Sequence, residues 1–140
     1  MNLMPRFEAY AAAFEATLVD DDWTRLQQYF TADAVYLPGD GSEAVGRDRV
    51  LETLRNGVNG LDRRFDTRVG ELSSAEQSND VVTIQWKMTL SKQGLPDLTI
   101  SGREHATFTG DTISRLEDVL DPGSGEAVAG YMAKHGARLN

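Results

Sequence analysis

Residues 80–90 read "DVVTIQWKMTL", and from Val82 to Leu90 apolar and polar positions alternate. Val82, Ile84, Trp86, Met88 and Leu90 fall on one side of a strand, with Thr83, Gln85, Lys87 and Thr89 on the other. A period of two over that length fits a half-buried strand and no helix. It also requires a second apolar layer for the strand to lie against. The next segment, "DLTISGREHATF", repeats the pattern. Leu98, Ile100, Gly102, Glu104, Ala106 and Phe108 oppose Thr99, Ser101, Arg103, His105 and Thr107. Its apolar side carries one carboxylate, Glu104.

The second layer lies in the first half of the chain. Phe7, Tyr10, Ala11, Phe14 and Leu18 recur at helical spacing after Pro5, and "VDDD" ends that run. Asp21 or Asp22 is placed to cap a short second helix, "WTRLQQYF". A strand in "DAVYLPGDG" stops at Pro38. A third helix, "RDRVLETLRNGVNGL", carries Val50, Leu54, Val58 and Leu61 on one stripe. Beyond residue 62 the strands "RRFDTRVGELSSAEQ", "DVVTIQWKMTLSK", "DLTISGREHATF" and "DTISRLEDVLD" are joined by "SND", "QGLP" and "TGD", all good turn chemistry. "GEAVAGYMAKHGARL" is read as a terminal helix with Val128, Tyr131, Met132 and His135 on one side. Helices first and strands later predict an α+β fold, a long antiparallel sheet with helices on one face.

The last strand holds a second intruder, Asp118 between Leu116 and Leu120. Whether the two acids meet depends on the hairpin at "TGDT". A two-residue loop of Gly110 and Asp111 pairs Phe108 with Ile113 and sets Asp118 opposite Arg103. A three-residue loop with a bulge sets Asp118 opposite Glu104. The first choice exposes Leu116 and Leu120, a loss of roughly 1.5–3 kcal/mol apiece. The second turns Ile113 and Val119 outward at a similar cost, so local energetics leave both open. Two carboxyls facing each other in an apolar cavity do not both ionise cheaply. One proton would be shared near neutrality, which suits general acid/base chemistry on a small organic molecule.

Composition narrows the partners. The net charge of the 140 residues is −8, with no basic run, which argues against nucleic acid or an anionic membrane surface. The chain has no cysteine and only two histidines, His105 and His135, so no thiol chemistry and no transition-metal site is expected. No signal peptide or spanning run is seen at "MNLMPRFEAY", and a cytoplasmic protein is expected.

The order of elements, together with "VDDDWTRLQQYFTADAVYLPGDGSEAVGRDRVLETL" and the closing "DTISRLEDVLD", resembles SnoaL-like proteins of the nuclear-transport-factor-2-like superfamily. Relatives there include ketosteroid isomerases, limonene epoxide hydrolase and polyketide cyclases. The shared features are an acidic end to the first helix, Trp opening the second, F-x-x-D-A-V, a Pro-Gly corner and Gly-Arg before the third helix. The resemblance spans about residues 6–121 of what is expected to be one domain over 1–140, with 122–140 a C-terminal extension. It implies a cone, a strongly curved sheet wrapped on helices with a deep pocket, and it favours Glu104 opposite Asp118.

By the same resemblance Asp118 stands where epoxide hydrolases and cyclases place a catalytic aspartate. Glu104 stands where ketosteroid isomerases carry a protonated acid. Leu37, before Pro38, replaces the isomerases' general base, and Trp86 and Met88 replace the epoxide hydrolases' Arg-x-Asp. Neither mechanism is intact, so neither activity transfers. Tyr36 near the pocket mouth, Trp86, Met88 and Leu116 on the wall, and Tyr10 and Phe14 opposite are the expected ligand-binding residues, with no cofactor. Tyr36 is expected to offer its hydroxyl to a ligand oxygen. His105 belongs on the outer face, where relatives form a homodimer. A non-catalytic carrier or protein-association module of the same fold is the competing expectation.

Overall fold

A computed structural model describes residues 1–139. With Pro5 in its first turn, helix α1 runs Met4–Asp20 and ends when Asp21 turns left-handed at φ 59°. Asp21 and Asp22 do not cap a second α-helix. The segment Trp23–Tyr29 is a 3-10 turn without a side-chain cap, and Phe30 already belongs to a strand. The Asp21 carboxylate is taken instead by the Trp23 indole N–H at 2.6 Å and by Arg63 at 2.9 Å. Seven residues without a cap are too few to sustain an α-helix.

Strand β1 (Phe30–Leu37) stops at Pro38 as expected, and a two-residue strand β2 (Ala44–Val45) pairs back on it. Helix α2 (Arg47–Gly60) buries Val50, Leu51, Leu54 and Val58. Then come β3 (Thr67–Leu72), β4 (Glu76–Ser78), β5 (Val81–Ser91), β6 (Leu98–Thr109), β7 (Thr112–Leu120) and helix α3 (Ser124–His135). The strands form one curved, open sheet in the order β2-β1-β7-β6-β5-β3, with β4 on β5. All pairings are antiparallel except β1 with β7, which is parallel. The sequence leads one to expect only antiparallel neighbours. The parallel pair arises because β1 is separated from its partner by most of the chain and is not bound by hairpin geometry.

Two apolar clusters fill the concave side. The larger joins α1, the 3-10 turn and α2 to Tyr36, Ile84, Ala106, Phe108, Ile113 and Leu116. The smaller gathers Phe65, Leu90, Leu98 and Ile100 under Tyr131 of α3 and Leu139, with Trp86, Met88 and Leu120 beside it. The Gly-bearing terminal segment is helical because this cluster gives its apolar side a partner.

The β6–β7 hairpin takes neither route considered from sequence alone. Its loop is the two-residue Gly110-Asp111, with Gly110 left-handed at φ 63°, and Phe108 pairs with Ile113. One step later Ser114 is extra: Thr107 pairs with Arg115, and from there Glu104 faces Asp118. This β-bulge lets Ile113 and Leu116, three residues apart, both point inward, and each is fully buried. The expected outward turn of Ile113 does not occur, and only Val119 faces out. The Ser114 hydroxyl donates to the Thr107 carbonyl at 3.2 Å, giving that carbonyl a partner inside the bulge.

Candidate functional site

The row of residues across the middle of the concave face is Ile84, Glu104 and Asp118, in register on β5, β6 and β7. The neighbouring row is Leu72, Trp86, Gly102 and Leu120. The acid pair lies on this seam between the two apolar clusters. The Pro38-Gly39 corner presses on it from the side. Gly39 has φ 100°, and a Cβ there would stand 2.7 Å from the Asp118 carbonyl oxygen, so only glycine fits.

Tyr36 reaches Asp118 from β1 because the parallel pairing sets it beside Leu116, two residues before Asp118. Its hydroxyl donates to Asp118 Oδ2 at 2.8 Å. The hydroxyl expected to meet a ligand oxygen is therefore engaged by a protein carboxylate. Burial raises the Asp118 carboxyl above its ordinary range, while hydrogen bonds from Glu104 and Tyr36 pull it back down. Glu104 is pushed well above its ordinary value by burial, then by the Asp118 charge, then by its hydrogen bond to Asp118. The pair is therefore asymmetric. Glu104 keeps the proton and donates, while Asp118, held by two donors, is the acceptor.

Both acids lie deep in the protein, yet each keeps partial solvent contact, as do Trp86 and Met88. Further along the same face Leu72 is 58% exposed although it sits directly opposite Trp86. Leu72, Trp86, Met88 and the two acids thus form a partly exposed strip of the concave face, crossed at Gly70 by the Arg68–Glu15 ion pair. Tyr10 is buried against Tyr29 and Phe30, at 5.9 and 5.5 Å between ring centres. Its phenol is raised by burial and then by the charges of Glu104 and Asp118, which places it within the field of the pair. Phe14 is partly buried on the larger cluster, edge-on to Trp23 at 6.0 Å. Leu116 is fully buried in the same cluster, so its surface is spent on packing.

Other features lie apart from the pair. His105 is on the outer face, with Nδ1 2.9 Å from Thr83 Oγ1 and Glu117 opposite it. Two surface grooves of about 410 and 290 Å3 lie against α2, lined by residues such as Asp48, Glu52, Asn56 and Asn59 in one and Arg47 and Arg49 in the other. Neither is lined by the pair.

Two features escape a reading of the sequence. Arg68 points to the concave side of β3 and ties it to α1 and to the 3-10 turn Asp62–Arg64, with both Glu15 oxygens at 3.0 Å and Asp62 at 2.7 Å. Only the register of β3 on β5 places it there. The Trp86 indole N–H is buried without an acceptor among the described residues. Such an orphan donor costs about 1–3 kcal/mol, and alternation alone gives no sign of it.

No protein-family model and no curated protein matches the chain. Solved structures do. An NTF2-like protein of unknown function from Exiguobacterium sp. 255-15 superposes with a TM-score of 0.67 at 16% identity, over 84% of this chain and 98% of that one. A protein of ketosteroid isomerase-like fold from Catenulispora acidiphila, solved in complex with trimethylamine, gives 0.62 at 19%, over 82% and 87%. A putative SnoaL-like polyketide cyclase from Shewanella denitrificans gives 0.64 at 13%, over 88% and 96%. The fold is therefore the NTF2-like cone that these proteins share. At such identities the likeness extends to the fold alone. No helix among the described residues is long and apolar enough to cross a membrane.

Proposed function

We propose that the concave face around the acid pair binds a small, largely apolar organic molecule and that Asp118 and Glu104 carry out proton chemistry on it without a cofactor. The observation that carries this reading is the opposed acid pair on a partly exposed strip of the concave face, Glu104 raised well above its ordinary range and Asp118 held as an acceptor by Tyr36. Asp118 takes a proton from carbon next to a carbonyl. The C–H electron pair moves into a carbon–carbon double bond, and the carbonyl oxygen gains charge as it accepts a hydrogen bond or proton from Glu104. Return of the proton to another carbon isomerises the molecule, and attack of the enolate on an internal electrophile cyclises it. In a hydration, Asp118 activates water instead. The cyclase and isomerase names among the fold neighbours support this range.

Residues 1–140 act here as one SnoaL-like domain, working in the cytoplasm as a homodimer through the outer face of β5 and β6. The assembly is placed on the outer face of β5 and β6, where Gln85, Lys87 and Arg103 are exposed beside half-buried Thr83, His105 and Thr107.

The test is a thermal-shift screen of terpenoid, steroid and polyketide-like ketones, followed by deuterium uptake from D2O at the carbon beside the carbonyl of each hit. Uptake above buffer is expected for the native chain, with a loss of about 100-fold or more in Asp118→Asn. Hits that bind with no uptake indicate a carrier. Equal stabilisation of native, Asp118→Asn and Glu104→Gln protein would remove both acids from recognition.

A further inference from the structure

We infer that α3 is a hinged cover on the concave face: it lifts about Pro122 and Gly123, and a ligand takes the place on the sheet that its apolar side holds. This deepens the binding role proposed above and rests on it. The first observation is where the helix sits. α3 packs against β6, and Val128, Tyr131 and Met132 share one cluster with Met88, Ile100 and Leu120. Those three sheet residues belong to the face that carries the acids. Leu120 is two residues from Asp118, and its row with Trp86 and Gly102 adjoins the row of the pair. A Cβ at Gly125 would stand 3.9 Å from Leu120 Cδ1, so the start of the helix reaches that row. Apolar surface beside Glu104 and Asp118 is therefore under the helix, and neither groove on α2 offers a substitute for it.

The second observation is how lightly the helix is held. Of its 12 residues only Ser124 and Tyr131 are buried, and it begins at Gly123 without a side-chain cap. Gly125 and Gly130 weaken it further as a free helix. A segment of this length and composition is helical only while docked, so lifting and unwinding are one event. Its polar ties include the Tyr131 hydroxyl donating to the Pro96 carbonyl at 2.8 Å and the Ser101 N–H donating to Ser124 Oγ at 3.1 Å. At its far end Arg64 donates to the Gly136 carbonyl, also at 3.1 Å.

The third observation is the hinge. The Asp121 N–H donates to the Ser101 carbonyl at 3.0 Å and holds the chain to β6 up to that point. Pro122 has no N–H to give, and Gly123 is left-handed at φ 89° with nothing within 4 Å of where its Cβ would stand. The backbone can turn there without displacing a neighbour. An element that buries so little and carries its own pivot belongs to the low-stability end of a fold, from which moving covers are drawn. A ligand that needs the open form binds in proportion to the fraction open, so whatever loosens α3 strengthens binding.

Native-state hydrogen exchange on the full chain tests the opening with no ligand present. Amides of residues 127–135 should exchange through one shared opening at urea concentrations where those of α1 and α2 still await global unfolding. In Tyr131→Phe that opening should be about threefold to tenfold more frequent, the worth of one net hydrogen bond. Exchange of α3 only in step with α1 and α2 would overturn the cover. Prodan, a neutral naphthyl ketone dye, tests the change of places. It should bind Tyr131→Phe tighter than the native chain by the same factor and, at saturation, speed exchange of the α3 amides. Prodan that binds both proteins equally, or that slows the α3 amides or leaves them unchanged, would overturn the cover and leave the acid-pair proposal standing. Prodan affinity that ignores both Asp118→Asn and Glu104→Gln would remove the acids from binding, and the ligand's place under α3 with them. Absence of binding to the native chain and to Tyr131→Phe would overturn both proposals.

Discussion

At the scale of single residues, the acid pair makes stability depend on pH in an unusual direction. A carboxyl whose folded pKa lies above its unfolded one binds its proton more readily in the folded state. Stability is then full below the unfolded pKa and declines as pH rises toward the folded one. Glu104 is shifted this way from an ordinary value of 4.5, and Asp118 from 3.8. Glu104→Gln keeps the donor to Asp118 and removes the titration. Relative to the native chain, the variant should therefore gain stability with rising pH above the ordinary carboxyl range, by at most about 1.4 kcal/mol per pH unit. Urea denaturation at a series of pH values measures the difference, in which the exposed acids cancel. A difference that stays flat would mean that Glu104 titrates normally. Both intruding acids were legible as breaks in alternation. The orphan indole was not, because partner choice depends on distances that no pattern of faces contains.

At the scale of elements, the fold relies on strands approaching more closely than side chains allow. Gly102 faces inward between Trp86 and Leu120, and a Cβ there would stand 2.5 Å from the Val119 carbonyl oxygen and 3.1 Å from the Leu120 Cα. Both obstacles are backbone, so neither yields by changing rotamer. Gly102→Ala should cost about 1–3 kcal/mol by thermal or urea denaturation, the usual cost of overpacking. A neutral result would show that β6 and β7 separate freely here. The register of these strands shows why the hairpin was not legible in the sequence. Both loop options confined any irregularity to the loop and kept β7 straight beyond it, and in a straight strand Ile113 and Leu116 cannot share a face. Ser114 resolves the conflict as a bulge, and serine there has no composition signal to announce it. The parallel β1–β7 pair was equally hidden, since strand order across a sheet depends on contacts between distant segments.

At the scale of the whole molecule, the two apolar clusters should respond separately to damage. Tyr131 on α3 anchors the smaller one: it packs against Phe65 at 5.7 Å between ring centres, and its hydroxyl donates to the Pro96 carbonyl at 2.8 Å. The larger cluster draws its helical residues from α1, the 3-10 turn and α2. The smaller draws on β5, β6, α3 and the chain around Phe65. Tyr131→Phe should cost about 1 kcal/mol, the net worth of one hydrogen bond. Tyr131→Ala should cost about 3–5 kcal/mol, as for other buried aromatic truncations. Hydrogen exchange distinguishes a local from a global loss. In Tyr131→Ala, amides of residues 88–90 and 98–102 should exchange faster, while those of α1, α2 and β1 keep their protection until global unfolding. Because Glu104 and Asp118 lie on the seam, loosening this one side should admit water to them and bring the Glu104 pKa down toward its ordinary value, since burial is its largest cause. A uniform rise in exchange across both clusters would mean that the cone melts as one unit, and the acid pair would then owe its environment to the whole sheet and not to the seam.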